Sequence, residues 1–169
     1  MARMCVIVFS VYLAALFGYT SANTQIWEIA SSKLDSTTWS VKNDWRGDGD
    51  YTNKWKCNLF VYDVLLEANV KAPKINRRGH NTIGANEWAN PQSEYVKETG
   101  CYETVSDAYK QKGDVIAFGR RSGTSGHMGI VSINGSYISA GEHKVTETSI
   151  NGFLQRNTIV RTAIWRYSC

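Results

Sequence analysis

Proline is scarce in this chain, two residues in 169, which excludes a proline-rich linker protein. Charge is thin: the net formal charge is +4 and the pI about 8.9. That balance favours anionic partners such as nucleic acid, a bacterial envelope or a membrane surface, and selects none of them. Long apolar runs are missing as well, since no stretch approaches the ~20 residues that a membrane-spanning helix needs. No Cys/His spacing suggests a metal site. No glycine loop leads into a helix as a phosphate cradle requires, because Gly119 to Gly126 precedes a strand pattern. Neither metal nor cofactor is expected. What is present is 43% apolar and 12% aromatic residues with six Trp, so the chain is neither disordered nor of low complexity. Its length suits one domain.

The first 22 residues have the form of a secretory signal peptide: Arg3, an apolar stretch from Cys5 to Phe17, then Gly18-Tyr19-Thr20-Ser21-Ala22. Cleavage after Ala22 places Thr20 and Ala22 at the two positions that must be small. The expected mature protein is a single domain, 23–169, of 147 residues with charge +3. A domain of that size buries roughly 68–70% of its unfolded surface and does not require a dense disulfide frame. The expected product is extracellular, monomeric and free of any membrane anchor.

Export into an oxidising space makes the cysteines informative. Cys57, Cys101 and Cys169 remain after Cys5 leaves, an odd number, so two are expected to pair and one to stay free. Cys101 lies in a turn-like stretch and Cys169 is the last residue, so a bridge between them ties down a fraying terminus. Cys57 lies in an amphipathic segment and is the expected odd one. It is either a buried structural thiol or a reactive one.

Patterning predicts an α+β domain. Ile26, Ile29, Ala30 and Leu34 mark a helix over 25–34, and the polar stretch 35–51 reads as loop. Cys57, Phe60, Val61, Val64, Leu65 and Ala68 form one apolar helical stripe, with Asn53 as its cap and Pro73 as its far limit. Residues 71–82 read as a basic solvated loop, 85–89 as one helical turn and 103–110 as a short helix. Strands are expected at 115–118, 127–133, 136–140 and 158–167, with Asn134-Gly135 a type I′ hairpin signal. The order, helices and then an antiparallel meander, sets the Cys57 helix against a sheet face.

A thiol at a helix N-terminus is favoured as thiolate by the helix dipole, and a nearby imidazolium adds to this. The free N–H groups there also suit an oxyanion. The chain has three histidines. His80 lies in the basic stretch and His143 follows Gly141-Glu142 at a strand exit, both positions suited to surface residues. His127 opens a strand whose neighbours are small or apolar, so its ring is expected inward, as a structural residue or as the base that Cys57 needs.

Three segments then fall in a known order: Lys56-Cys57-Asn58-Leu59-Phe60-Val61, Gly113-Asp114-Val115-Ile116-Ala117-Phe118, and Gly126-His127-Met128-Gly129-Ile130-Val131. Together they resemble the NlpC/P60 and CHAP superfamily of papain-like peptidoglycan amidases over Asn53 to Ala140. The segments Asp35-Ser36-Thr37-Thr38-Trp39-Ser40 and Asn53 to Val61 are further similar to the second family of type VI secretion amidase effectors and to the domesticated amidase effectors of ticks and mites. The resemblance implies a papain-like fold with N-terminal helices on an antiparallel sheet. It also implies peptidoglycan as partner and antibacterial hydrolysis of amide bonds in stem peptides and crosslinks. Cys57 is then the nucleophile and His127 the general base. The family's third, ring-orienting residue falls at Ser139, which departs from the usual His, Asn, Gln or Glu, with Glu142 as the alternative.

Further candidates are weaker. Asp48, Asp50 and Tyr51 precede the nucleophile and suit either a cleft or a solvated loop. Trp88, with Glu87 and Asn90, suits substrate contact or packing. Arg77, Arg78, Arg120 and Arg121 suit anionic wall polymers or a solvated face. Asn134-Gly135-Ser136 is a glycosylation sequon in a tight turn. Three functions compete: a wall amidase, a non-catalytic wall-binding protein on the same scaffold, and a nucleic-acid binder. The last is disfavoured because +3 is a thin electrostatic footprint.

Overall fold

The computed structural model describes residues 21–44, 51–77 and 80–169. The leader up to Thr20, Asp48, Asp50 and Arg78 lie outside them. The elements are α1 (Ala22–Ser32), α2 (Cys57–Glu67), β1 (Lys74–Arg77), β2 (His80–Thr82), α3 (Ala85–Trp88), α4 (Glu94–Lys97), β3 (Tyr102–Thr104), a 3-10 turn (Asp107–Tyr109), β4 (Val115–Gly119), β5 (His127–Val131), β6 (Ser136–Ala140), β7 (Val145–Ser149), α5 (Ile150–Arg156) and β8 (Arg161–Tyr167). This is the α+β arrangement that the sequence order implies. Six strands form one antiparallel sheet in the order β3-β8-β4-β5-β6-β7.

Several local expectations need correction. The first helix starts at Ala22, because the Ser21 hydroxyl accepts the Thr24 N–H at 3.2 Å and caps it there, and it stops at Ser32. Helix α2 has Lys56, with no side-chain cap bond, at its N-cap. Asn53 instead turns the chain three residues earlier with φ 59°. The same helix ends well before Pro73. Asn69 adopts φ 59°, and the Val70 and Asn69 N–H groups reach back to the Leu65 and Leu66 carbonyls, closing the last turn in a left-handed cap. Residues 71–82 contain the β1–β2 hairpin where a loop was expected. The stretch 103–110 holds strand β3 and the 3-10 turn in place of a helix. β7 and α5 occupy 145–156, which the sequence pattern did not mark.

β4 is buried along its whole length, so the sheet carries core on both faces. Val115 and Ala117 face the larger cluster, which includes Phe60, Val64, Leu65, Met128, Ile130 and Trp165. Ile116 and Phe118 face a smaller one with Val131, Tyr137, Ile150 and Ile164, against which Phe153 packs. α2 covers the first face. It buries Leu59 in addition to the expected stripe, and Trp39 from the 36–44 loop packs on the helix with the Trp39 and Phe60 rings 5.3 Å apart.

The Gly113-Asp114 pair is structural. Gly113 has φ +89°, and a Cβ there would lie 1.8 Å from the Asn23 carbonyl oxygen, so α1 rests directly on its backbone. The fully buried Asp114 receives Arg166 Nε at 3.0 Å and Nη2 at 2.9 Å, and the Gln111 N–H at 2.7 Å. Removing one partner of such a buried pair costs about 3–5 kcal/mol. At the carboxyl end, Cys101 and Cys169 form a disulfide across 68 residues, leaving Cys57 as the free, buried thiol among the described residues.

Candidate active site

Cys57 is the first residue of α2, and the backbone N–H groups of Met128, Asn58 and Cys57 itself act on its sulfur electrostatically. Met128 directly follows His127. The helix start and the first peptide of β5 therefore meet at the thiol, although the two residues are 70 positions apart in sequence. All three N–H groups favour the thiolate, as does the charge of Arg120. Burial works against them and wins, pushing the Cys57 thiol up to about 11. Position at a helix N-terminus alone implied a lowered thiol pKa, and that expectation does not hold in the closed site: only 4% of the residue is exposed.

The His127 side chain lies on the opposite side of β5 from Met128, sharing a face with Tyr137 and Ser139 of β6. Ser139 Oγ lies 3.0 Å from His127 Nε2. The other ring nitrogen, Nδ1, has no hydrogen-bond partner among the described residues. Tyr137 and Ser139 stand two residues apart on β6, so both side chains lie on the sheet face that carries the imidazole. Burial raises the Tyr137 pKa far above the ordinary range. Phe153 of α5 stacks on the imidazole with centroids 5.0 Å apart, and Tyr137 meets it edge-on at 5.8 Å. Desolvation by this aromatic cover, aided by Arg120, lowers His127 to about 4. The resting pair is accordingly neutral thiol and neutral imidazole, with no imidazolium to stabilise a thiolate.

Gly129 makes this arrangement possible. A Cβ at that position would stand 2.3 Å from the Ile138 carbonyl oxygen, 2.8 Å from the Tyr137 ring and 3.0 Å from Ser139 Cβ. The space above it is where β6 lays the residues that orient the imidazole. The His-x-Gly spacing thus follows from packing two side chains over a bare backbone.

Two clefts flank the pair. One, of about 680 Å³, runs past Cys57, Asn58 and Asn53. The other, of about 580 Å³, holds His127, Tyr137 and Ser139. Trp55 and residues 123–126 line both, so they form one continuous groove with the thiol on one side and the imidazole on the other. Trp55 is 55% exposed. Asn86 pins the shared loop: its side chain donates to the Thr124 carbonyl at 2.8 Å and accepts the Arg120 N–H at 2.9 Å.

The structure thus places Cys57 in one of two adjoining clefts and His127 with Ser139 in the other. Glu142 is exposed in the turn after β6 and makes no contact with the imidazole, so of the two third-residue candidates only Ser139 reaches it. Tyr51 is buried at the core margin, and Trp88 is 3% exposed, packed edge-on against Tyr102 with its carbonyl accepting from Trp165 Nε1. Neither lines the groove. His143 is exposed in the same turn as Glu142, and the backbone of His80 belongs to β2. Asn134 is exposed at φ 54° beside Gly135 at φ 70°, the paired positive angles of the expected type I′ turn. Sequence reasoning missed Trp55, Asn86, Tyr137 and Phe153. Only Trp55 carried a signal, as an aromatic two residues ahead of the thiol.

Comparison with known proteins follows this geometry. A family model, the CHAP domain, matches residues 45–144. Among solved structures, the chain is similar to Rv1477, described as a hypothetical invasion protein of Mycobacterium tuberculosis, at 16% identity and TM-score 0.53. It is also similar to the Resuscitation Promoting Factor Interacting protein RipA, solved with a cysteine mutated (14% identity, TM-score 0.52) and with a histidine mutated (17%, 0.50). Each likeness covers 86% of this chain and 62% of the other. At that identity the likeness is one of fold. None of the curated proteins matches the chain.

Proposed function

This chain belongs to the CHAP domain family, within the NlpC/P60–CHAP superfamily, and we propose on that footing that it is a secreted cysteine peptidoglycan hydrolase cutting amide bonds of stem peptides and their crosslinks. The observation that carries the reading is that the cleft of Cys57 and the cleft of His127 share Trp55 and residues 123–126 as a common wall, with the imidazole Nε2 engaged by Ser139. With Nε2–H donating to Ser139, Nδ1 keeps its lone pair and is the base.

The thiol proton passes to Nδ1 as sulfur attacks the carbonyl carbon, so thiolate forms only during attack. The Cys57 and Asn58 N–H groups stabilise the resulting oxyanion. Collapse breaks the C–N bond while the imidazolium returns its proton to the departing amine. Water, deprotonated by the same ring, then adds to the thioester and releases the acid and the free thiol. Ser139 is a positioning residue that keeps the productive tautomer.

The likeness of the 35–40 and 53–61 segments to domesticated amidase effectors supports an antibacterial, extracellular role with innate-immune use of a horizontally acquired enzyme. The test is mass spectrometry of muropeptides after digestion of whole peptidoglycan. Wild-type protein is expected to release new amine termini, and Cys57→Ala to release none while still binding the wall. Wall binding without any released amine, by the wild type, rejects hydrolysis and leaves a wall-binding protein.

A further inference from the structure

We propose that Arg120 and Arg156 form a carboxylate-binding subsite beside His127, selecting amides whose leaving amine carries a carboxylate close to the scissile bond. This deepens the hydrolase reading and rests on it.

The cleft that contains His127 and Ser139 is also lined by Arg120 and Arg156, and among the described residues no Asp or Glu lines it. A smaller cleft of about 320 Å³ shares both arginines with it, adds Arg121, and again has no carboxylate. Among the described residues no ion pair neutralises these cations. Among the described residues, the ion pairs are Lys33–Glu67, Lys110–Asp107, Lys144–Asp35 and Arg166–Asp114. Arg120 donates only to a neutral acceptor, Asn157 Oδ1, at 2.6 Å, and Arg156 has no hydrogen-bond partner among the described residues.

Both arginines are set by elements that already build the site. Arg156 ends α5 one turn after Phe153, the ring stacked on His127, so the two side chains share a helix face. Arg120 follows β4, and its backbone N–H is held by Asn86. A guanidinium presents a fork of N–H donors that matches a carboxylate in two-point fashion, which a point charge cannot do.

The side of the bond that this subsite serves follows from the proton inventory. The imidazole must reach the departing nitrogen to protonate it, so the leaving fragment lies on the imidazole side of the groove. The arginine cleft is the continuation of that side. The acyl fragment lies toward Cys57, where Asn53, Asn58 and Asn86 offer neutral amides.

The experiment uses two soluble peptides that differ only in the residue donating the leaving amine, which bears a carboxylate in one and a carboxamide in the other. The wild type is expected to favour the carboxylate about tenfold in kcat/KM, the range of one charge-assisted contact. The ratio should collapse toward one in Arg156→Gln and in Arg120→Gln, chiefly through KM, and in the wild type at high salt. Lys97→Gln, a surface charge outside both clefts, should keep the full ratio. Equal turnover of both peptides by a wild type that still digests walls through Cys57 overturns the subsite and leaves the hydrolase standing. A preference that survives both arginine substitutions also overturns it. If the wild type cuts neither peptide nor whole wall, both readings fall together.

Discussion

At the residue scale the governing fact is that Cys57 and His127 are both buried, and burial moves their proton affinities in opposite directions. The thiol is held at about 11 and the imidazole at about 4, so each is neutral across the whole intermediate range. Two pH effects follow. Activity needs the neutral ring, so kcat/KM should fall only as pH drops through about 4, and a pH–rate profile will place that acid limb. Iodoacetamide, which needs thiolate, should label Cys57 increasingly up to about pH 11, with no plateau near neutrality. The sign for stability is separate. The unfolded chain protonates His127 near its ordinary value of 6.5 while the fold resists until about 4, so stability should decline between those values and then level off. The loss is up to about 3 kcal/mol, readable as a falling denaturant midpoint. Ser139 acts on the same ring by hydrogen bonding. Ser139→Ala should lower kcat by about tenfold or more with KM little changed, because a released imidazole samples the wrong tautomer. Steady-state kinetics on a soluble peptide will read that split.

At the element scale, what the sequence revealed tracks how strongly side-chain pattern alone specifies each piece. α2 was legible because six apolar residues repeat at helical spacing, and β5–β6 because Asn134-Gly135 separates two apolar runs. β7 was not legible: Val-Thr-Glu-Thr-Ser has one apolar residue, and the strand exists through its backbone ladder with β6. The β1–β2 hairpin is similar, a short two-stranded pair in a basic stretch. α5 escaped notice at seven residues, yet it supplies the ring that covers His127. Motif order predicted a thiol and an imidazole near one another, and they line adjoining clefts, while the reversal of the thiol's proton affinity was not legible, since burial is a property of the packed site. The Gly129 position is the point where the elements lock. Gly129→Ala drives a methyl group into the Ile138 carbonyl and should cost about 3 kcal/mol, with β6 displaced from the imidazole. Thermal unfolding and residual turnover, measured together, will show both losses.

At the scale of the whole molecule, the carboxyl-terminal strand is fastened at one side of the sheet. β3 pairs with β8, and the Cys101–Cys169 bridge clamps the pair. A 68-residue loop makes the bridge worth about 4 kcal/mol in the chain-entropy description. A Cys101→Ser/Cys169→Ser double variant should therefore lose about that much in denaturant unfolding while keeping the groove between α2 and the β5–β6 pair.

Next to Cys57 stands Lys56, fully buried, with its ammonium donating to the carbonyls of Ser40, Val41 and Lys54 at 2.8, 3.0 and 3.2 Å. All three of its protons are committed to backbone, which leaves no lone pair for an electrophile and no path by which one could arrive. Amine-acylating reagents will mark the outer lysines and pass this one by until the strap of chain ahead of Cys57 lets go. The molecule thus carries, one peptide bond from its sulfur, a built-in indicator of whether that approach is latched.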